Sequence, residues 1–175
     1  MISIKIDAER FLEAFRAAPT AIRSEMKQAM QTGIRDIVKR ARQEHRFVSQ
    51  SGALERSMEG GIVAENPLTG EITAGGGKAI YARFIHEGTG LYGTRGERYP
   101  ITPRFGRVEE PAHGPAPRKL LRWVGKDGKW HAAKLVMHPG VKPDPFLLQA
   151  AEKELPHLET LFAGAIDRAV NKEAT

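Results

Sequence analysis

His86-Glu87-Gly88-Thr89-Gly90 opens like H-E-x-x-H, the helical pair of imidazoles that holds a catalytic zinc beside a glutamate base. Its fifth position is Gly90 instead of His, and two glycines break the helix such a motif needs. His45, His86, His113, His131 and His157 show no ligand spacing with another histidine, and the chain has no cysteine, which excludes thiolate ligands, thiol catalysis and disulfides. His138, just before Pro139-Gly140, reads as a polar residue at a strand end. No G-x-S-x-G nucleophile turn occurs. Gly88-Thr89-Gly90 and Gly93-Thr94-Arg95-Gly96 lack the Gly-Lys-Ser/Thr of a phosphate-binding loop, so their glycines read as turn formers. The paired carboxylates Glu109-Glu110 precede Pro111 in a Gly/Pro-rich stretch, where preorganisation is poor. The expectation is a binding or structural protein with no catalytic, cofactor or metal site.

Charge offers a second kind of chemistry. The formal net charge is +6 and the pI about 9.7. Arg95, Arg98, Arg104, Arg107, Arg118, Lys119, Arg122, Lys126, Lys129, Lys134 and Lys142 crowd the middle of the chain, opposed only by Glu97, Glu109, Glu110 and Asp127. Tyr92, Tyr99, Phe105, Trp123 and Trp130 are interleaved with them, the composition of a surface that stacks bases and neutralises phosphates. The same composition also suits a solvated loop or a contact to an acidic protein. Arg95, Arg98, Arg104, Arg107, Arg118, Lys119 and Arg122 are the candidates for either contact.

These residues need a scaffold, and periodicity supplies one. Ile2 to Ile6 alternates apolar and polar residues as a half-buried strand does. Asp7 caps an expected short helix carrying Phe11, Leu12 and Phe15, which Pro19 ends. Ile22, Met26, Met30, Ile34, Ile37 and Ala41 form a helical stripe. A helix from about Ala21 to Arg46 would be roughly 39 Å long, weakened in its middle by Gly33. Leu54 to Glu65 and Glu71 to Ala74 read as two strands around Asn66 to Gly70, and Ala79 to Ile85 as a strand or a short helix. Tyr99 to Pro103 is the one plausible strand within Gly88 to Pro117, a stretch long enough to be functional or mobile. Lys119 to Val124 and Trp130 to His138 read as a second hairpin around Gly125 to Gly128. Asp144 is the expected N-cap of a last helix, with Pro145 at its first position. Phe146, Leu147, Ala150, Leu158, Leu161, Phe162, Ala165, Ile166 and Val170 are its apolar residues, and Pro156 is expected to kink or divide it.

At 175 residues, one α+β domain over 1–175 is expected. In it, a long N-terminal helix and a C-terminal helix pack on a mainly antiparallel sheet with long extended loops, including a basic Gly/Pro-rich loop at about 91–118. Met1 to Phe11 has no apolar run of a signal peptide, and no stretch approaches the roughly eighteen apolar residues of a membrane span. The reading is a protein synthesised in a reducing cytoplasm.

Three fragments, in order, resemble the tail-completion or head–tail joining proteins of siphophages, also called neck or minor tail components. Ser51-Gly52-Ala53-Leu54-Glu55-Arg56-Ser57 is similar to that family's T/S-G-x-L-x-x-S. Tyr81-Ala82-Arg83-Phe84-Ile85-His86-Glu87-Gly88-Thr89-Gly90 looks like its Y-A-x-x-v-E-x-G-T, with Glu directly before Gly here. His138-Pro139-Gly140-Val141-Lys142-Pro143-Asp144-Pro145-Phe146-Leu147 is similar to its H-P-G-x-x-x-x-P-F-l. The match covers roughly Ser51 to Val170, and the long basic Leu91 to Arg118 insertion departs from it.

The resemblance implies a virion protein of a long-tailed bacteriophage, made in the host bacterium. It would form a homo-oligomeric ring between a head-proximal connector or stopper protein and a tail terminator or tail tube protein, around the passing genomic DNA. Tyr81, Phe84, Glu87, Gly88, Thr89, Gly90, Tyr99, Trp123, His138, Pro139, Gly140, Pro145 and Phe146 become the assembly candidates. For Pro145 and Phe146 the alternative is simply to start and anchor the last helix. A basic DNA-binding accessory protein of phage morphogenesis is the second reading of the whole chain.

Overall fold

A computed structural model describes residues 1–7, 20–49, 51–65, 68–103 and 120–173. The expected helix after Asp7, the Asn66-Pro67 turn, and Arg104, Phe105, Arg107, Glu109, Glu110, His113, Arg118 and Lys119 lie outside them. The protein is a mixed helix-and-sheet structure whose strand pairings are all antiparallel. It falls into two compact units, Met1–Glu87 with Asp144–Thr175, and Gly88–Pro143.

The first unit is built around helix α1 (Thr20–Gln43), which ends three residues before the expected Arg46. Its stripe is buried as the spacing predicts, with Met30, Ile34, Ile37 and Ala41 essentially inaccessible. One side of α1 meets a three-stranded sheet in the order β1 (Ile2–Asp7), β3 (Leu68–Ala74), β2 (Glu59–Glu65). Alternate residues of β3, Leu68, Gly70, Ile72 and Ala74, are buried. Glycine at 70 is a packing requirement, since an added Cβ would sit 2.6 Å from Ile34 and 3.2 Å from Met30.

The other helix against α1 is α4 (Phe146–Glu173). Glu25 pairs with Arg168 at 3.0 Å, Arg40 with Glu154 at 2.5 Å, and Glu44 with Lys153 at 2.6 Å, an order that makes the helices antiparallel. The C-terminal helix thus packs mainly on α1 and not, as expected, on the sheet. Gly33 sits at this crossing, where an added Cβ would overlap Leu158. Its cost to helix propensity is exchanged for close approach.

Several local expectations are corrected. Leu54 is in a helical turn, α2 (Ala53–Arg56), and the strand starts at Glu59. Gly52 enters that turn in the left-handed region at φ +65°. Ser57 closes it by donating its hydroxyl to the Leu54 carbonyl at 2.7 Å while accepting the Gly75 N–H at 3.0 Å. The partner strand starts at Leu68, three residues earlier than expected, with Leu68 already paired to Glu65 of β2. The ambiguous run at 79–85 resolves as helix α3 (Ala82–Glu87). Helix α4 runs undivided through Pro156, which faces solvent, where water can hydrate the carbonyl that loses its N–H partner. Of the apolar residues of this helix, Ile166 and Val170 are exposed.

The second unit consists of two two-stranded ladders. Strands β5 (Leu121–Val124) and β6 (Trp130–Ala133) form the hairpin expected around Gly125–Gly128. The chain leaves that hairpin before the expected His138, and β7 (Val136–His138) pairs instead with β4 (Tyr99–Ile101). None of the described residues in this unit is buried.

Candidate functional site

Two of the three motif fragments are stitched together in the second unit. The Thr89 N–H donates to the Val141 carbonyl at 2.9 Å and the Leu91 N–H to the Pro139 carbonyl at 2.8 Å. The Val141 N–H in turn donates to the Thr89 hydroxyl at 3.0 Å. Gly90 and Gly140 lie face to face at φ +63° and +97°. A Cβ on Gly90 would come 2.8 Å from the Gly140 nitrogen, and one on Gly140 would strike the Thr89 carbonyl. These glycines are therefore fixed both by backbone conformation and by contact.

The Gly140 N–H donates to His138 Nδ1 at 3.0 Å. The ring stands 5.4 Å from that of Tyr99, its partner across the β4–β7 ladder. Lys142 places its ammonium 5.7 Å from the Tyr92 centroid. Thr89, Gly90, Tyr99, His138, Pro139 and Gly140 thus form one surface element.

In the first unit, Tyr81 and Phe84 are exposed, Phe84 by 59%, beside the exposed Ile80. Glu87 is surface-exposed and bonded to Arg83 at 2.9 Å, one helical turn away. His86 points inward, with its ring edge-on to Phe146 at 5.5 Å and Nε2 buried with no partner among the described residues. Burial pushes its pKa down against the opposing pull of Glu87 and Asp144, so the ring is neutral near pH 7. Phe146 is fully buried and offers no surface to a partner. Pro145, half-buried, precedes the helix.

Asp144 does not cap that helix with its side chain. Its carboxylate, 3% exposed as a residue, reaches back to accept the backbone N–H groups of Arg46 at 2.6 Å and Phe47 at 2.9 Å. The Asp144 N–H donates to the Ile85 carbonyl at 2.9 Å. One residue therefore ties the end of α3, the start of α4 and the chain leaving α1. Phe47 packs edge-on to Phe146 at 5.4 Å and stacks on His45 at 3.7 Å. Sequence reading missed this role, because an Asp-Pro before a helix is read as a cap, and nothing local marks amides almost a hundred positions away.

The basic candidates Arg95, Arg98 and Arg122 are exposed. Trp123 stacks on His131 at 5.5 Å, on the opposite hairpin face from Val124 and Trp130, and Trp130 is 75% exposed. Eleven of the chain's cations and four of its anions lie between 88 and 143, giving that segment +7 and the remainder −1. Two open grooves of about 460 and 550 Å³ follow α1, one lined by Arg35, Lys39, Arg42 and Glu59, the other by Arg40, Glu44, Lys153 and Glu154. In the second, Arg40, Glu44, Lys153 and Glu154 pair with one another; in the first, Arg35 bonds Thr32 and Arg42 the Met58 carbonyl, and no nucleophile and base converge in either. Among the described residues no group of three or more His, Asp or Glu could hold a metal ion, and no helix is long and apolar enough to cross a membrane. The arrangement can bind through aromatic and cationic side chains on a hydrogen-bonded loop frame. No family model matches the chain, and no curated protein or solved structure is significantly similar to it.

Proposed function

We propose that this protein is a non-enzymatic structural component of a long-tailed bacteriophage virion. It forms a homo-oligomeric ring at the head–tail junction, between a connector or stopper protein and a tail terminator or tube protein. The observation that carries this reading is the hydrogen-bonded pairing of Gly88–Leu91 with Pro139–Val141. Those segments are about fifty positions apart in sequence, yet they belong to two of the three fragments that resemble the joining-protein family. Their convergence is what a shared assembly element requires, and a chance similarity of short fragments gives no reason for it.

The composition of the second unit supports the same reading. A ring component needs a stable body and surfaces whose apolar and charged groups await neighbouring subunits. Electron microscopy of particles made without this protein tests it. Filled heads and complete tails that fail to join are expected, and particles that join normally would refute it.

The +7 charge of residues 88–143 favours a second reading, direct contact with DNA. Its signature is a steep linear fall of log affinity with log salt. Binding absent near physiological salt would remove that reading and leave the ring untouched.

A further inference from the structure

Helix α4 has two apolar faces, and among the described residues only one of them is covered. Leu147, Ala150, Leu158, Ala165 and Ala169 are buried. Leu148, Leu155, Ile166 and Val170 are 46%, 53%, 38% and 54% exposed. At 100° per residue these four fall within about 60° of one another, so they mark one solvent-facing side of the helix as two apolar pairs over about 33 Å. Glu152 and Glu159 lie within the same stripe, both exposed, and neither forms an ion pair among the described residues. No lysine or arginine interrupts it.

The β5–β6 hairpin has the complementary character. Arg122, Val124 and Trp130 share one exposed face, Lys126 is at the turn, and the surrounding unit carries the +7 charge. No described residue of this unit is buried, and Tyr92, Tyr99, Trp123 and Trp130 are all exposed, Trp130 by 75%. Trp and Arg are the residues that carry binding energy once desolvated.

We propose that the hairpin of one copy docks on the acidic, apolar stripe of α4 in a second copy. Trp130 and Val124 would cover the Leu148–Leu155 end or the Ile166–Val170 end, with Arg122 and Lys126 meeting Glu152 and Glu159. The two surfaces differ, so the contact is heterologous. Each copy offers one of each, and repetition closes a ring or extends a filament. This names the subunit contact of the proposed ring and rests on that reading.

Sedimentation velocity on the full chain tests it over a wide concentration range, with Leu155→Lys/Glu159→Lys as the stripe variant and Arg122→Glu/Trp130→Ala as the hairpin variant. Each variant alone is expected to associate at least roughly thirty-fold more weakly than wild type, the loss that follows truncation of an interface anchor. An equal mixture retains one intact stripe and one intact hairpin, so it is expected to form dimers and nothing larger. That result also shows that both variants fold. Wild type that stays monomeric throughout overturns the contact, as does a mixture that stays monomeric. Variants that associate like wild type also overturn it, while leaving a ring built through other surfaces standing. Association that appears only on adding duplex DNA, and is lost in the hairpin variant, overturns it in favour of a nucleic-acid surface.

Discussion

Among the described residues, twenty apolar ones are buried in Met1–Glu87 with Asp144–Thr175, and none between 88 and 143. The first region closes its helices and sheet on Met30, Ile34, Ile72, Phe146 and Leu147, and carries a net charge of −1. The second holds its backbone by two short ladders and the Thr89–Val141 stitching, keeps Trp123 and Trp130 in solvent, and carries +7. Burial is where folding stability comes from, so the first region stabilises the chain. Exposed aromatic and cationic groups contribute only when a partner covers them, which is the role the proposed function gives the second region. The difference teaches that here the residues that bury apolar surface and those that concentrate exposed aromatic and cationic groups lie in different units.

Substitutions sharpen that contrast. Phe146→Ala removes a fully buried aromatic and should cost about 3–5 kcal/mol in chemical denaturation. Trp130→Ala, equally drastic chemically, should change the stability of the isolated chain by less than about 0.5 kcal/mol. Equal losses would erase the distinction between the regions. Asp144→Ala leaves the Arg46 and Phe47 amides without their acceptor and should cost about 1–3 kcal/mol. Gly33→Ala should also destabilise, by about 1–3 kcal/mol from overpacking against Leu158, although alanine is the better helix former. A gain in Tm would show that the α1–α4 crossing is looser than described.

A smaller and more local effect is expected from Gly140→Ala. The substitution strains a backbone at φ +97° and pushes on the Thr89 carbonyl. Hydrogen exchange should speed up at the Thr89, Leu91 and Val141 amides, with thermal unfolding of α1 and α4 unchanged. The smallest effect is a pH slope. His86 has a folded pKa below its ordinary value of 6.5, so the unfolded chain binds the proton more readily. Its contribution is fully present above about 6.5 and is lost as pH falls below it towards the folded pKa. His86→Gln should flatten the fall in Tm between about pH 6.5 and 5. A slope unchanged by the substitution would show that His86 does not control it.

How much of this was legible in the sequence follows from how local each signal is. The α1 stripe and β1 alternation were readable because one residue period decides each, and the β5–β6 turn because Gly125 to Gly128 leaves little choice. The α2 turn differs from the strand expected from Leu54, because left-handed Gly52, the backbone bonds of Arg56 and Ser57 and the Ser57 hydroxyl close a helical turn ahead of Glu59. Gly33 looked like a weakness because its reason, Leu158, is far away in sequence. The same holds for Asp144. On α4, apolar residues recur so often that periodicity could not divide them between the buried face and the Leu148–Val170 stripe. The motif residues were picked out by resemblance, but their pairing across about fifty positions needed coordinates.

Hydrogen–deuterium exchange on the free chain and on the chain assembled in particles tests the division of labour most directly. Amides of α1 and of α4 near Phe146 should exchange slowly in both states. Those of the β5–β6 hairpin around Trp123 and Trp130 should exchange rapidly in the free chain and become protected on assembly. Hairpin amides equally protected in both states, or equally unprotected, would contradict the assignment of stability to one region and contact to the other.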